Sequence, residues 1–104
     1  MFDKIIGGCW SDNRGSCVEI ISRDSLIYYS FGDDYSSQTA YTIENNMITY
    51  GDMWVKTLVV LTPVLEQNGT ITFSSSYEYR GSITPGETYI RCTNCKIAKN
   101  LFKH

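Results

Sequence analysis

The sequence has little of what enzymatic chemistry requires. Its single histidine is His104, and terminal residues are commonly mobile. Mechanisms that need a fixed imidazole, such as Ser–His–Asp, Cys–His and histidine acid–base pairs, are therefore poorly supported. The sequence also contains no glycine-rich phosphate loop, His-Glu-x-x-His motif or nucleophile elbow. We expect a protein that is not an enzyme and that needs no cofactor.

Long apolar runs are also absent. Lys56 interrupts the longest one, residues 53–65, so we expect no transmembrane helix. Asp3 and Lys4 are followed by residues 7–10 (GGCW), which do not resemble the apolar core of a signal peptide. We therefore expect a cytoplasmic protein without a membrane partner.

Composition and alternation indicate one all-β domain, residues 1–104. With 42% hydrophobic and 19% charged residues, the chain is long enough to bury a core. Apolar and polar residues alternate, as in half-buried antiparallel strands, and short turns intervene, one of them at residues 84–87 (TPGE). The predicted strands are residues 8–12, 16–22, 25–31, 38–43, 46–50, 53–62, 69–75, 76–83 and 87–92. We expect an antiparallel meander that closes into a barrel or a curved β-sandwich.

A short C-terminal helix is predicted at residues 94–104. Ile97 and Leu101 lie four residues apart on one face, the lysines fall away from that face, and Asn94 can serve as the N-cap. Such a helix closes one end of a barrel or docks on the sheet. A basic helix on a membrane surface is the alternative.

The inward positions of the predicted strands define the expected core. Its members are Trp10, Val18, Ile20, Ile43, Ile71, Phe73, Tyr77 and Tyr79. Seven further aromatic residues lie within residues 24–55, and at least four of them are expected to be core. These seven are Tyr28, Tyr29, Phe31, Tyr35, Tyr41, Tyr50 and Trp54.

Charge is segregated along the chain. Residues 24–55 contain five acidic residues and no Lys or Arg, whereas residues 91–104 contain four cations and no acid. An acidic surface argues against nucleic acid as the partner, because phosphate binding depends on cations. It favours a basic protein. The alternative is an acidic edge that only keeps the protein soluble.

The candidate partner-binding residues come from this acidic, aromatic stretch. They are Asp33, Asp34, Tyr35, Glu44 and Asp52. The adjacent pair Asp33 and Asp34 is a poor glycosidase pair, since in a strand the two side chains would point in opposite directions. In a loop both carboxylates face water, which is consistent with a contact for a cationic partner or with simple solvation.

Four cysteines leave three chemical states open. Cys92 and Cys95 have the CxxC spacing of zinc and redox sites, but seven residues separate Cys9 from Cys17, which is wide for a four-cysteine zinc site. In the first hairpin, Cys9 and Cys17 are expected on the face opposite Trp10. Reduced structural thiols are the first expectation; a metal at Cys92 and Cys95, or two disulfides, are the alternatives.

Two short motifs carry a resemblance to a known family. Residues 6–10 (IGGCW) resemble the Gly-x-Trp start of lipocalin-like barrels, and residues 41–48 (YTIENNMI) resemble a hairpin of the small bacterial lipocalin-like domains. The similarity covers residues 5–62. It implies a barrel with Trp10 closing one end, and an interior that in this family often binds an apolar ligand.

Small size, an acidic aromatic surface and the absence of a catalytic motif predict a non-enzymatic binding protein. In size and charge the chain is similar to toxin-immunity proteins of bacterial contact-dependent growth inhibition systems. We expect an inhibitor that covers the active site of a basic toxin domain such as a nuclease. The alternative is an intracellular carrier of a small apolar ligand.

Overall fold

The computed structural model of the chain describes residues 4–12, 14–32, 34–53 and 56–96. Nine β-strands make up most of this part. They are β1 (Cys9–Ser11), β2 (Ser16–Ile20), β3 (Ser25–Ser30), β4 (Tyr35–Ala40), β5 (Thr42–Glu44), β6 (Met47–Asp52), β7 (Thr57–Leu65), β8 (Ile71–Tyr79) and β9 (Ser82–Cys92). The predicted helix at residues 94–104 lies mostly outside the described residues. No helix in the described part has the length and apolarity needed to cross a bilayer.

All strands are antiparallel and form one sheet in the order β4-β3-β2-β1-β9-β8-β7-β6-β5. The first strand pairs with the last, and β4 approaches β6 where the two ends of the sheet meet. We call this junction the seam. The chain is therefore a nearly closed barrel, and the predicted all-β antiparallel meander is confirmed.

The inner face of the sheet holds the main core. Of the eight predicted core residues, Trp10, Val18, Ile20 and Phe73 are fully buried, and Ile71 and Tyr77 pack against them partly buried. Two were wrong. Ile43 is 39% exposed because it lies in the edge strand β5, whose residues all face solvent, and Tyr79 is 48% exposed because it ends β8 at a hairpin turn.

The largest error in the predicted strands concerns β8 and β9. The turn expected at residues 84–87 does not exist, because Pro85 lies within β9 opposite Ser76, next to an irregularity in the pairing. The turn is formed by Arg80 and Gly81, which have φ angles of 51° and 82°. Two consecutive left-handed residues are typical of a tight two-residue hairpin, so residues 71–92 form one long hairpin.

The two ends of the barrel differ. At the closed end, the Trp10 side chain is buried, its indole N–H donates to the Ile71 carbonyl oxygen at 2.9 Å, and its ring meets Phe73 edge-on at 5.1 Å. The Arg91 guanidinium lies 4.9 Å from the Trp10 ring centroid. The opposite end, which we call the mouth, is where β1, β3, β6 and β8 end and the strands that follow them begin.

Candidate functional site

The predicted partner-binding residues do not form one acidic surface. Asp34, Tyr35 and Asp52 lie at the mouth, with Asp34 exposed in the turn before β4. Glu44 lies at the turn between β5 and β6, near the closed end. The length of β6, about 17 Å, separates it from Asp52. Asp33 lies outside the described residues, so the structure brings together two of the five, Tyr35 and Asp52.

The Tyr35 and Asp52 side chains meet across the seam. The Tyr35 hydroxyl lies 3.1 Å from one Asp52 carboxylate oxygen and 3.0 Å from the other. Tyr35 begins β4 and Asp52 ends β6, so a charge-assisted hydrogen bond links the two sides of the seam at the mouth.

Tyr28 organises the aromatic rings behind this pair. Its ring stacks on Tyr50 at a centroid distance of 5.5 Å and meets Tyr35 edge-on at 6.1 Å. Its hydroxyl accepts a hydrogen bond from the Met53 backbone N–H at 3.1 Å. These contacts fix three tyrosine rings, and the hydroxyls of Tyr28 and Tyr35 meet groups at the mouth end of the barrel.

A cavity of about 230 Å³ opens between these side chains. Tyrosine rings supply most of its wall. Its lining includes Tyr28, Tyr35, Tyr50, Tyr77, Tyr89, Ser30 and Asp52. Asp52 is the one charged residue among the described lining residues, and the Tyr77 and Tyr89 hydroxyls lie 3.3 Å apart at the wall. The site is therefore a set of hydroxyls and ring faces around a single carboxylate.

Burial keeps the inner tyrosines neutral. Desolvation, followed by the Tyr77 hydroxyl and the Asp52 carboxylate, raises the pKa of Tyr50 well above 10. Desolvation, followed by its neighbours Tyr50 and Tyr77, likewise raises the pKa of Tyr89. A neutral phenol donates and accepts hydrogen bonds but cannot act as a general base. The buried tyrosines therefore offer the cavity hydrogen-bond donors and acceptors.

Sequence reasoning missed most of this site. At least four of the seven aromatic residues were expected as core. Four are buried, namely Tyr28, Phe31, Tyr41 and Tyr50, so that expectation is confirmed. The hydroxyls of Tyr28 and Tyr50, together with those of Tyr77 and Tyr89, were not expected to border a cavity. The available signal was that Tyr28, Tyr50 and Tyr77 fall on inward positions in the mouth half of their strands.

The four cysteines form a second cluster, on the outer face. Alternation places Cys9 and Cys17 opposite Trp10 and Val18, as predicted. Two disulfides join Cys9 to Cys92 and Cys17 to Cys95, so the expected free thiols are not found in this structure. Phe31, also buried, packs in the same cluster, and Tyr29 and Cys92 lie against it partly buried.

No protein-family model, no curated protein and no solved structure matches this chain. The architecture agrees with the lipocalin-like resemblance at the level of a nearly closed antiparallel barrel with a buried tryptophan at one end.

Proposed function

We propose that this chain is a non-enzymatic binding protein that receives a cationic side chain of a basic protein partner in the mouth of its barrel. The observation that carries the proposal is the Asp52 carboxylate on the wall of a tyrosine-lined cavity, held in place by the Tyr35 hydroxyl. In this role the chain is an inhibitor, in the manner of an immunity protein that covers a toxin nuclease domain.

The chemistry of the lining suits a lysine or arginine side chain. A carboxylate offers about four lone-pair sites, so Asp52 can keep its bond to Tyr35 and accept from a second donor. The stacked rings of Tyr28 and Tyr50 add π surface, and cation–π attraction is strongest, about 2 kcal/mol, where the cation is desolvated. The exposed carboxylate of Asp34 lies at the same end and adds long-range attraction.

The size of the cavity favours a single side chain over a free ligand. Pockets for drug-sized molecules measure roughly 300–1,000 Å³, whereas this one measures about 230 Å³. The small volume weighs against the carrier of an apolar ligand and for a peptide side chain.

The test starts from capture of partners on the purified protein at low and high salt, followed by identification of each captured protein and its charge. Asp52→Asn removes the carboxylate charge at nearly constant shape. Glu44→Gln makes the same change near the closed end and is the matched control. We expect Asp52→Asn to weaken the complex by about 2–5 kcal/mol, mainly through faster dissociation, and Glu44→Gln to change it by less than about 1 kcal/mol.

Three outcomes would contradict the proposal. Equal loss with both variants would mean that general charge, and not the mouth, attracts the partner. A partner with an excess of acidic residues would remove the electrostatic argument. Co-purification of an apolar small molecule, lost when the cavity is filled by Ser30→Phe and with no protein captured, would support the carrier instead.

A further inference from the structure

The four cysteines come together although the sequence separates them widely. Their sulfur atoms all lie within 4.8 Å of one another. The cysteines lie in β1, in β2, at the end of β9 and in the segment that follows β9. The strand β1 brings these elements together, because it pairs with β2 on one side and with β9 on the other. Cys9 is directly opposite Cys92 in that pairing.

The fold explains how cysteines with this spacing come together. Seven residues between Cys9 and Cys17 is wide for two ligands on one turn of chain. The two cysteines instead occupy neighbouring strands on the same outer face, so the hairpin brings their side chains together. Cys92 and Cys95 supply the other pair from the CxxC segment that ends β9.

The distance between sulfurs of different disulfides can be compared with the distance between ligands in a zinc site. The Cys17 and Cys92 sulfurs are not bonded to each other, yet they lie 3.7 Å apart. In a tetrahedral zinc site with Zn–S bonds of about 2.3 Å, neighbouring sulfurs are about 3.8 Å apart. Two disulfides that served only as separate cross-links would have no need to share one site. This pair therefore has the spacing of neighbouring ligands in a metal centre, and the other two sulfurs lie within 4.8 Å of it.

We propose that the chain with all four thiols reduced binds one zinc ion through Cys9, Cys17, Cys92 and Cys95. Binding releases four thiol protons and leaves a tetrathiolate site with charge −2. Three of the four cysteines are buried and Phe31 is buried with them, so no ligand position is left for water. A closed four-cysteine site is structural and not catalytic.

Two charged residues lie next to the cluster, one of each sign. Glu19 is directly opposite Cys9 in the pairing of β1 with β2. Lys96 directly follows Cys95 and is exposed. Nearby cations lower thiol pKa values and offset the charge of the metal site. The two disulfides and the zinc site are alternative states of the same sulfurs, and a reducing compartment selects the thiols.

The experiment uses the full chain after reduction of both disulfides by a water-soluble phosphine, which is converted to its oxide. Co²⁺ is titrated first, because four thiolates around Co²⁺ give intense sulfur-to-metal charge-transfer bands; Zn²⁺ then displaces it. We expect one metal per chain, a first shell of four sulfurs at about 2.3 Å in zinc X-ray absorption, and a higher Tm of the reduced protein with zinc.

Two variants separate this site from adventitious binding. Cys95→Ser removes one ligand and should lower zinc affinity at least about tenfold, with three sulfurs left in the first shell. Thr93→Ser changes an exposed residue between Cys92 and Cys95 and should leave binding unchanged. Circular dichroism follows folding throughout, so that chelation by an unfolded chain is recognised.

The proposal is overturned if the reduced, wild-type chain binds no zinc, or binds it with fewer than four sulfurs. It is also overturned if Cys95→Ser binds as tightly as the wild type, or if zinc binds while the chain stays unfolded. None of these results depends on the partner proposed for the mouth, since Asp52→Asn should leave zinc binding unchanged.

Discussion

The closed end and the mouth of the barrel use the same class of side chain for different purposes. At the closed end, Trp10 and Phe73 present ring surface to each other, and the one polar atom of Trp10 is satisfied by a backbone carbonyl. At the mouth, tyrosines direct their hydroxyls to one another and to Asp52 around a cavity. The first arrangement stabilises the fold, and the second retains polar groups that can recognise a partner.

The difference shows that one part of a small barrel interior can be packed for stability while another part holds a cavity. Apolar burial at the closed end holds the strands together, so the mouth can leave a cavity unfilled at a modest cost in stability. Substitutions at the closed end should therefore change the free energy of unfolding, and substitutions at the mouth should change binding.

The largest effect is expected for Trp10→Ala. The change removes a fully buried indole and leaves a cavity, so the free energy of unfolding should fall by about 3–5 kcal/mol. Denaturant titration followed by circular dichroism measures it. Tyr79→Ala, at a half-exposed ring, is the control and should cost less than about 1 kcal/mol. A loss below about 1 kcal/mol for Trp10→Ala would contradict the assignment of the closed end.

Alkaline pH should destabilise the fold through the buried tyrosines that line the mouth cavity. Burial raises the pKa of Tyr50 and Tyr89 above the unfolded value of 10, so their neutral forms stabilise the fold fully below pH 10. Above pH 10 the unfolded chain loses these protons first, and stability falls by up to about 1.4 kcal/mol per pH unit for each tyrosine. Phenolate absorbance and circular dichroism should then change together. Early ionisation of every tyrosine without unfolding would contradict this result.

A smaller effect is expected for Gly86→Ala, in the long hairpin beside the mouth. A Cβ at this position would collide with the Tyr77 ring and the Ser75 hydroxyl, which donates to the Glu87 carbonyl at 2.6 Å. We expect a loss of about 1–3 kcal/mol in thermal or denaturant unfolding, as in other overpacked sites. Gly51→Ala in β6 is the matched control, since a Cβ there meets no atom within 4 Å. Equal losses in both variants would contradict the role of the Tyr77 contact, because replacing glycine by alanine without a collision lowers the entropy of the unfolded chain and should not destabilise the fold.

The smallest effect on stability, and the sharpest comparison, comes from two hydroxyl deletions. Tyr35→Phe removes the bond to Asp52 at the mouth, and Tyr41→Phe removes a bond to the Ser22 carbonyl at 2.6 Å away from it. Each should cost about 0.5–1.5 kcal/mol of unfolding free energy. Only Tyr35→Phe should also weaken partner binding. If both variants bind the partner equally well, the Tyr35 hydroxyl does not contribute to partner binding.

Local patterns predicted the architecture well, because alternation and short turns depend on neighbouring residues. They placed Trp10 and Val18 inside and Cys9 and Cys17 outside without any knowledge of the partner strands. They failed at residues 84–87, where Thr-Pro-Gly-Glu is typical of a turn but the strand pairing continues through an irregularity. Tertiary pairing overrode local turn preference there.

The candidate site was only partly predictable, because it forms at the seam. Tyr35 and Asp52 are 17 residues apart and meet only when the two ends of the sheet approach each other. The number of acidic residues in the stretch did not distinguish Glu44 from Asp52, although the length of β6 separates the two residues. The cysteine cluster likewise depends on the pairing of β1 with β9. The short spacings between cysteines in the sequence do not predict that pairing.

That pairing also has a consequence for how the protein is made. β1 is synthesised before the other eight described strands, yet one of its two neighbours is β9, the last of them, so that pairing must wait until β9 has been made. The early hairpins of β2, β3 and β4 can form during translation, while the outer edge of β1 stays unpaired until the end. Until then that edge is open to pairing with other chains. Refolding of the whole chain should therefore be slower than formation of its separate hairpins, because its decisive contact joins residues 83 positions apart.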